Sequence, residues 1–367
     1  MLRFNATIKP VGADCNLGCS YCFYKDVLVN QERGRMTDAT LDVVLNRILT
    51  AHADGLVSIT WQGGEPTLAG LPFFQRAFAR ARELARPGQQ VVHAFQTNGL
   101  LLDADWAKLF RREGVLVGLS CDGPPGIHDL VRRDLGGAGS SSQVLRAWDI
   151  LKSESVACNL LCTVSGANVD RPLETYRYFR DDLKASHIQF VPLVQSGDGG
   201  ECRETHFSQR LGAFLVAVYE EWVRRDIGIV SVQLFEAALA QVLKLPSLCI
   251  LMPQCGSCPV LERDGSLRCC DHFAGDAHRV EGFEALRAFG SKKRELTQAC
   301  LDCDVLSFCF GGCPAGRGPE AALHGQHWLC EGWKLFFGRV KQDMEWMAQR
   351  LVEGGQPAEL MARYSNA

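Results

Sequence analysis

The sequence predicts an α/β protein with an open, partial (β/α)6 barrel over residues 1–230 and a cysteine-rich domain over residues 231–367. The first observation is that short apolar segments rich in β-branched residues alternate with longer helix-like segments up to about residue 225. This alternation is typical of parallel βα units. The second observation is that the periodic pattern of apolar residues weakens after residue 230, where Gly, Pro and Cys interrupt short segments. A domain with so thin a core usually needs metal to hold it together.

Six strands are expected at the short apolar segments, which span residues 6–11, 57–61, 91–96, 116–120, 158–164 and 188–194. Helices are expected between and after them, at residues 37–53, 72–86, 103–112, 143–153, 171–182 and 206–225. Thr37 and Asp103 are suited to cap two of these helices, because their side-chain oxygens can accept a hydrogen bond from the first turn. In barrels of this type the chemistry lies at the C-terminal ends of the strands. The distinctive polar motifs of this sequence follow strand ends.

Charge and hydropathy exclude some classes of partner. The formal net charge is −3 over 367 residues, so no basic field attracts the chain to nucleic acid or to an anionic membrane. The first residues lack the apolar core and cleavage site of a secretory signal, and no apolar run approaches the length of a membrane span. We therefore expect a cytoplasmic protein with neither nucleic acid nor membrane among its partners.

The 17 cysteines are the most informative feature of the composition. They cluster at residues 15–22, 249–270 and 300–313, and Cys330 follows. Disulfide pairing is the alternative to metal ligation, but the number of cysteines is odd and no export signal is present. The clusters therefore favour thiolate ligands for metal ions or iron–sulfur clusters.

Three cysteines follow the first expected strand with the spacing C-x3-C-x2-C, namely Cys15, Cys19 and Cys22. Three thiolates leave one iron of a four-iron cubane without a protein ligand. That iron can chelate the amino and carboxylate groups of S-adenosylmethionine, whose reductive cleavage yields a 5′-deoxyadenosyl radical. A zinc site is the alternative, but structural zinc normally takes four protein ligands.

The next three strands end in polar motifs that fit such a cofactor, at residues 62–66 (QGGEP), 96–99 (QTNG) and 120–124 (SCDGP). The glycines let the backbone approach a ligand closely, and Glu65 can bind an ammonium group. Tyr21, just before the third cysteine, can pack against adenine. The order of these motifs along the strands makes the prediction stronger than any one motif alone.

These motifs also carry a family resemblance. Residues 15–24 (CNLGCSYCFY), 62–70 (QGGEPTLAG), 96–99 and 119–132 (LSCDGPPGIHDLVR) resemble anaerobic sulfatase-maturating enzymes, in the SPASM branch of the radical SAM superfamily. The resemblance extends over essentially the whole chain. It implies that the three-cysteine loop ligates the catalytic cluster. The expected cofactor contacts are Tyr21, Tyr24, Gln62, Gly63, Gly64, Glu65, Asn98, Ser120 and Arg132.

The C-terminal cysteines match the signature of that branch at every interval. Cys255, Gly265 and Cys270 are separated by nine and four residues, and the C-x2-C-x5-C-x3-C motif of residues 300–313 precedes Cys330. Two complete cubanes need eight thiolates, and Cys249 supplies the eighth. A zinc ribbon would leave several of these cysteines unused. The family pattern implies two auxiliary clusters, ligated by Cys249, Cys255, Cys270 and Cys313 and by Cys300, Cys303, Cys309 and Cys330.

The chain would then hold three [4Fe-4S] clusters in addition to S-adenosylmethionine. Six cysteines stay outside the ligand sets, and we interpret them as ordinary core or surface thiols. They are Cys121, Cys158, Cys162, Cys202, Cys258 and Cys269.

Asp271 directly follows the ligand Cys270, and in the family an aspartate at this place is the proposed general base. Abstraction of a hydrogen atom from Cβ of a substrate Cys or Ser leaves a carbon radical. The radical reaches the carbonyl level by losing a proton from sulfur or oxygen and one electron. A carboxylate can take the proton, and an auxiliary cluster can take the electron. A solvated or structural role is the alternative for Asp271, and His128 and Tyr24 are weaker candidates for the substrate cavity.

The leading hypothesis is oxidation of a Cys or Ser residue to Cα-formylglycine in an unfolded sulfatase segment, with an electron donor such as flavodoxin or ferredoxin. One alternative is a SPASM peptide maturase that forms a thioether, a carbon–carbon crosslink or an epimer in a ribosomal peptide. Such enzymes often carry an N-terminal recognition extension, whereas Cys15 here is only fourteen residues from the start. A non-enzymatic electron carrier or metal-stapled binding module is the third hypothesis, and the three-cysteine loop disfavours it.

Overall fold

A computed structural model describes residues 3–24, 33–193, 206–273, 278–317 and 325–365. The chain divides into two compact units, each built from separate stretches of sequence. The first comprises Met1–Cys121, His128–Asn159 and Gly256–Gly290, and the second comprises Asp122–Ile127, Leu160–Cys255 and Ser291–Ala367. The expected domain division at residue 230 stays a prediction.

The six strands expected from the sequence are present, and four short ones are added. In chain order the strands are β1 Asn5–Ile8, β2 Gly55–Trp61, β3 Gln89–Thr97, β4 Leu116–Ser120, β5 Cys158–Val164, β6 His187–Pro192, β7 Ser231–Val232, β8 Val260–Leu261, β9 Leu267–Arg268 and β10 Arg279–Val280. In the first unit β1, β2, β3 and β4 are neighbouring parallel strands. In the second, β5, β6 and β7 are parallel neighbours.

The six helices expected from the sequence are present, and the described residues form seven further ones. They are α1 Asp38–Ala51, α2 Leu71–Leu84, α3 Ala104–Glu113, α4 Pro125–Val131, α5 Ser141–Ser153, α6 Pro172–Arg177, α7 Phe207–Arg225, α8 Gln233–Val242, α9 Ala285–Ser291, α10 Gln298–Leu301, α11 Leu306–Cys309, α12 Cys330–Val352 and α13 Met361–Ser365. A π-helical turn, Tyr178–Asp182, continues α6. Both expected caps are confirmed: Thr37 accepts from the backbone N–H of Thr40, and Asp103 accepts from those of Asp105 and Trp106.

A β-hairpin that the sequence analysis did not identify completes the first unit. Strand β8 pairs in parallel with β1, with Thr7 opposite Val260, and β9 and β10 continue the sheet in antiparallel fashion. Gly265 lies in the β8–β9 turn with φ of +82°, a conformation that only glycine adopts readily. This explains physically why the cysteine signature contains a glycine at that position.

Aromatic side chains fill the core of the first unit. Trp61 on β2 packs edge-to-face against Phe73, Phe74 and Phe78 of α2. His93 on β3 accepts a hydrogen bond from Trp61 Nε1 at 3.3 Å. Edge-to-face ring pairs stabilise beyond their buried area, so this cluster fixes helix α2 on the sheet behind the polar strand ends.

The second unit contains the largest departure from expectation. Short segments broken by Gly, Pro and Cys were expected after residue 230, yet α12 runs for 23 residues. Helices α7 and α12 cross closely where Gly212 meets Gly332, and Gly332 N donates to Ser208 Oγ at 2.8 Å. Within the described ranges, no helix is both long enough and apolar enough to cross a membrane.

Candidate active site

The three-cysteine loop begins just after β1 in the first unit. Cys22 N donates to the carbonyl of Cys19 at 3.2 Å, and Leu17 N points to Cys15 Sγ at 3.4 Å. Burial raises the pKa of the Cys15 thiol to about 12. A thiolate at this position therefore depends on a bound cation such as cluster iron, because metal binding and thiol deprotonation are coupled.

Gly63 and Gly64 pack against the backbone that leads into this loop, and their expected contact with the cofactor stays a prediction. Gly64 N donates to Gly12 O at 2.9 Å, and Glu65 N donates to Asp14 O at 2.7 Å. A Cβ atom on Gly63 would lie 2.5 Å from Gly12 O, and one on Gly64 would overlap Asp14 O. The turn after β2 thus packs directly against the backbone that leads into Cys15, an approach that side chains would block.

Glu65 is fully buried and bonded on both carboxylate oxygens. Oε1 accepts from Thr67 N at 3.0 Å, Thr67 Oγ1 at 2.6 Å and Thr97 Oγ1 at 2.8 Å, while Oε2 accepts from Asn98 N at 2.7 Å. Burial raises the pKa of Glu65, and the hydrogen bonds from Asn98 and Thr67 oppose that shift. The side chain therefore ties the β2 turn to the end of β3, and its expected contact with an ammonium group stays a prediction.

Asn98 links the third strand end to the cysteine loop. Its Nδ2 donates to Asn16 Oδ1 at 2.7 Å and lies 3.7 Å from Cys15 Sγ. Ser120 ends β4 and is partly exposed. Asn98 is thus directly beside a predicted ligand, whereas the cofactor role of Ser120 stays a prediction.

Arg132, a predicted cofactor contact, and the adjacent Arg133 have different surroundings. Its guanidinium carbon lies 5.5 Å from the centre of the Tyr21 ring, and the residue is buried. Arg133 is exposed, and its Nε donates to the carbonyl of Asp129. The arrangement brings Tyr21 and Arg132 together at the cysteine loop.

Asp271 lies in the first unit and is held on both carboxylate oxygens. Oδ2 accepts from Tyr24 Oη at 2.6 Å and from Gln62 Nε2 at 2.9 Å. Oδ1 forms an ion pair with Lys9 Nζ at 2.6 Å. The Asp271 side chain keeps about 19% of its surface exposed. Such contacts fix a carboxylate in one orientation.

Further buried charged side chains lie beside Asp271. Lys9 Nζ also pairs with Glu262 Oε1 at 3.2 Å, and Arg268 Nε lies 3.4 Å from the same oxygen. Burial alone would raise the pKa of Asp271, but the positive charge of Lys9 and the hydrogen bonds from Lys9 and Tyr24 hold it below its usual range. Opposite charges close to a carboxylate favour its ionised form.

Lys9 and Glu262 were missed by the sequence analysis. The signal for Lys9 was present, because it is a lone charged residue directly after the apolar strand 5–8. Charged residues are rarely buried without a partner. The partner could not be identified from sequence, since Glu262 and Asp271 come from the unexpected hairpin.

The second auxiliary ligand set lines one cavity in the second unit. Cys300, Cys303, Cys309 and Cys330 share its wall with His327. Within the described ranges, no three His, Cys, Asp or Glu side chains meet the geometry of a single bound ion. Four thiols around one cavity suit a cubane, whose ligands bind four separate iron atoms.

Three thiols of the first auxiliary set lie near one another in the second unit. Burial raises the pKa of Cys255 to about 11, and the neighbouring thiols of Cys249 and Cys313 add to that shift. Cys270 belongs to the first unit, two residues after the end of β9 and directly before Asp271. The complete ligand set therefore stays a prediction.

The positions of the remaining candidate residues favour structural roles. His128 is fully buried and lies 3.0 Å from Ser140 Oγ through its Nε2 atom, so nothing in its position favours a substrate contact. Cys121, Cys162 and Cys269 are buried, as expected for ordinary thiols. Cys202 lies outside the described residues.

Comparisons with known proteins agree with this geometry. The radical SAM superfamily model matches residues 10–179. The chain is 30% identical to the serine-type anaerobic sulfatase-maturating enzyme of Bacteroides thetaiotaomicron, over 96% of this chain and 93% of that protein. It is 32% identical to the cysteine-type enzyme of Clostridium perfringens, over 90% and 94% respectively.

A solved structure is similar over the same extent. Native anSMEcpe with bound AdoMet and Kp18Cys peptide superposes with a TM-score of 0.87 and 29% identity, covering 94% of this chain and 99% of that one. The likeness thus includes the cysteine-rich C-terminal region as well as the strands that carry the polar motifs. The chain belongs to the anaerobic sulfatase-maturating enzymes of the radical SAM superfamily.

Proposed function

We propose that this chain oxidises a Cys or Ser side chain of a sulfatase-type polypeptide to Cα-formylglycine. The observation that supports this most directly is the oriented carboxylate of Asp271, which Lys9, Tyr24 and Gln62 hold in the same unit as the three-cysteine loop. Gln62 directly precedes the glycines that pack against that loop. The base and the radical-generating site would therefore lie at one edge of the sheet.

The donor set suits the implied cofactors. Cys15, Cys19 and Cys22 would bind a [4Fe-4S] cluster through three of its irons, and Asn98 and Arg132 would lie beside the bound S-adenosylmethionine. When bound, these two groups together supply the 5′-deoxyadenosyl radical that removes a hydrogen atom from the substrate Cβ. The protein contributes orientation and seclusion.

Asp271 would accept the proton from the substrate thiol or hydroxyl. Lys9 and Gln62 keep the carboxylate from rotating, and Tyr24 lies against the same oxygen as Gln62. After loss of one hydrogen atom, one proton and one electron, a serine gives the aldehyde directly. A cysteine gives a thioaldehyde, which water converts to the aldehyde with release of hydrogen sulfide.

The finer points of the proposal concern the clusters and the partners. Cys249, Cys255, Cys270 and Cys313, and separately Cys300, Cys303, Cys309 and Cys330, would ligate two auxiliary [4Fe-4S] clusters, one of which takes the substrate electron. A flavodoxin or ferredoxin would reduce the catalytic cluster. We place the enzyme in the cytoplasm, because thiolate ligands persist in a reducing compartment.

Anaerobic turnover of the reconstituted protein with S-adenosylmethionine and a reductant tests the proposal. The substrates are sulfatase-motif peptides with Cys, Ser or Ala at the target position. We expect 5′-deoxyadenosine and a hydrazide-trappable aldehyde from at least one of the first two peptides and no aldehyde from the third. A thioether or crosslink in place of the aldehyde would support peptide maturation instead, and a protein that forms no 5′-deoxyadenosine would be a carrier.

The catalytic cysteines are tested in the same assay. Replacing Cys15, Cys19 and Cys22 together by Ala should abolish 5′-deoxyadenosine, because the cluster with the open iron is lost. Ala replacement of Cys158, a thiol on β5 outside the ligand sets and the cofactor motifs, is the matched control and should leave the yield unchanged. Cleavage that persists in the triple variant would contradict the assignment.

A further inference from the structure

Two cations are buried in the second unit. The side chain of Lys293 is fully buried, and Arg317 is 2% exposed. Within the described part of the chain, neither forms an ion pair with Asp or Glu. An unpaired charge is strongly disfavoured in a protein interior, so the surroundings must supply the counter-charge in another form.

Arg317 is fixed entirely by backbone carbonyls. Its Nε donates to Gly311 O at 2.9 Å, and Nη2 donates to Phe310 O at 2.9 Å and Gly312 O at 3.3 Å. Its Nη1 donates to Lys293 O at 2.9 Å. These carbonyls are neutral, so they orient the guanidinium without cancelling its charge. Three of them belong to the segment between Cys309 and Cys313, which are predicted ligands of different clusters.

Lys293, like Arg317, is surrounded by backbone carbonyls. Its Nζ donates to the carbonyls of Cys249 at 3.0 Å and Ile250 at 2.8 Å. Burial lowers the pKa of Lys293 to about 8, while the nearby thiols of Cys249, Cys313 and Cys255 act in the opposite direction. The ammonium group therefore contacts the backbone of the predicted ligand Cys249 and lies within electrostatic range of the thiols of Cys255 and Cys313.

The guanidinium of Arg317 lies near thiols of both sets. Burial lowers its pKa, and Cys300, Cys313, Cys255 and Cys309 act against that shift. Cys300 and Cys309 belong to the second predicted cluster, and Cys313 and Cys255 to the first. One arginine thus lies within electrostatic reach of both ligand sets.

We propose that Lys293 and Arg317 are the built-in counter-charges of the two auxiliary clusters and raise the clusters' reduction potentials. The inference rests on the proposed function, since it needs auxiliary clusters. Each all-cysteine cubane is anionic, and accepting an electron adds one negative charge. A fixed cation in a weakly polarisable interior stabilises the reduced state more than the oxidised state. The electron comes from the substrate radical, whose proton goes to Asp271.

The test uses the full-length chain carrying Cys15→Ala, Cys19→Ala and Cys22→Ala as the parent, so that auxiliary clusters dominate the signal. In this parent we compare Lys293→Gln with Lys292→Gln. Both changes remove one lysine charge from the same short turn, Lys292–Arg294, but Lys292 is exposed and Lys293 is buried. Iron content is measured first, and reduction potentials follow from redox titration monitored by electron paramagnetic resonance.

We expect Lys293→Gln to keep its auxiliary iron and to lower the equilibrium constant for reduction of at least one cluster by tenfold or more. For a one-electron couple, tenfold corresponds to about 59 mV. Lys292→Gln should shift the constant by less than threefold, because solvent screens its charge. Equal potentials in the parent and in Lys293→Gln, at full auxiliary iron, would overturn the inference and leave the proposed function intact.

Lys293→Arg distinguishes the effect of the charge on the potential from the effect of side-chain packing. It keeps the positive charge, and we expect the parent potential; a drop as large as that of Lys293→Gln would overturn the inference. Lys293→Gln could also lose its auxiliary iron. In that case, Lys293→Arg decides the question: if it keeps the iron and the parent potential, the positive charge is required, and if it also loses the iron, the inference is contradicted. A parent that holds no auxiliary iron would contradict the three-cluster proposal itself.

Discussion

At the residue scale, the proposed base Asp271 is held in one orientation by its contacts. Lys9 and Gln62 contact different oxygens, so the group cannot turn without losing an ion pair or a hydrogen bond. Its adjacency to Cys270 was visible in the sequence. The partners were not, because Lys9 is more than 250 positions away and only the folded sheet brings it close.

Asp271→Asn should separate proton transfer from cofactor cleavage. The amide keeps the shape of the side chain but cannot accept the substrate proton, so we expect 5′-deoxyadenosine to form while aldehyde falls roughly a hundredfold or more. Asp264→Asn, on the exposed turn of the same hairpin, is the control and should give the full aldehyde yield. Full yield from Asp271→Asn would rule out the base assignment.

His93 gives a prediction for the pH dependence of stability. The residue is buried and accepts from Trp61 Nε1, and burial lowers its pKa to about 4. The folded state therefore binds its proton less readily than the unfolded state, whose pKa is about 6.5. The resulting stabilisation is complete above about pH 6.5 and is lost as the pH falls towards 4, a change on the order of 3 kcal/mol.

His93→Gln should flatten this dependence, because the glutamine oxygen can accept from Trp61 and does not titrate. We expect the melting temperature of the variant to fall less between pH 7 and pH 4.5 than that of the wild-type protein, with circular dichroism as the measurement. An equal fall in both proteins would show that His93 does not contribute to acid sensitivity.

At the scale of elements, the strand and helix pattern of the first 225 residues was predictable. Strands β4 and β5 have the expected bounds, and Thr37 and Asp103 cap as expected. The β8–β9 hairpin was not predictable, because a strand of two residues has no measurable periodicity. Helix α12 could have been found, since Trp333, Phe337 and Val340 recur at helical spacing.

The close crossing of α7 and α12 predicts different effects for two glycines. A Cβ on Gly212 would lie 2.8 Å from backbone atoms of Gly332, so Gly212→Ala should force the helices apart and destabilise the protein by about 1–3 kcal/mol. Gly338 on α12 is exposed, and a Cβ there would meet nothing within 4 Å. Gly338→Ala should instead be neutral or stabilise by up to about 1 kcal/mol.

Thermal unfolding of the two glycine variants under identical anaerobic conditions measures this difference. The two substitutions add the same methyl group, so any common effect on expression or cluster loading cancels in the comparison. Equal melting temperatures for the two variants would mean that the helices do not pack as closely as the structure indicates.

For the whole molecule, the cysteine count leads to a prediction for iron. Three [4Fe-4S] clusters correspond to about twelve iron atoms per chain. Cys300→Ala should lower the content to about eight, because one auxiliary cluster loses a ligand, whereas Cys162→Ala should leave it near twelve. Iron analysis of reconstituted protein checks this, and about four atoms in the wild-type chain would remove both auxiliary clusters from the proposal.

The cysteine spacing predicts iron–sulfur clusters, but it does not predict the buried positive charges near the cysteines. Spacing is local and survives in a linear sequence, whereas the burial of Lys293 and Arg317 arises from long-range packing. Lys292, Lys293 and Arg294 are adjacent basic residues in the sequence, and only the fold shows which one is buried. Likewise, only the fold shows that Lys9 forms an ion pair with Glu262.

The pairing of β1 with β8 also has a consequence for biosynthesis. Thr7 leaves the ribosome before its neighbour Val260, which follows only after about 250 more residues have been translated. The nascent chain can thus form the cysteine loop long before Asp271 exists beside it. Assembly of the reaction centre must therefore wait until the hairpin leaves the exit tunnel, and such non-local contacts make this step slow.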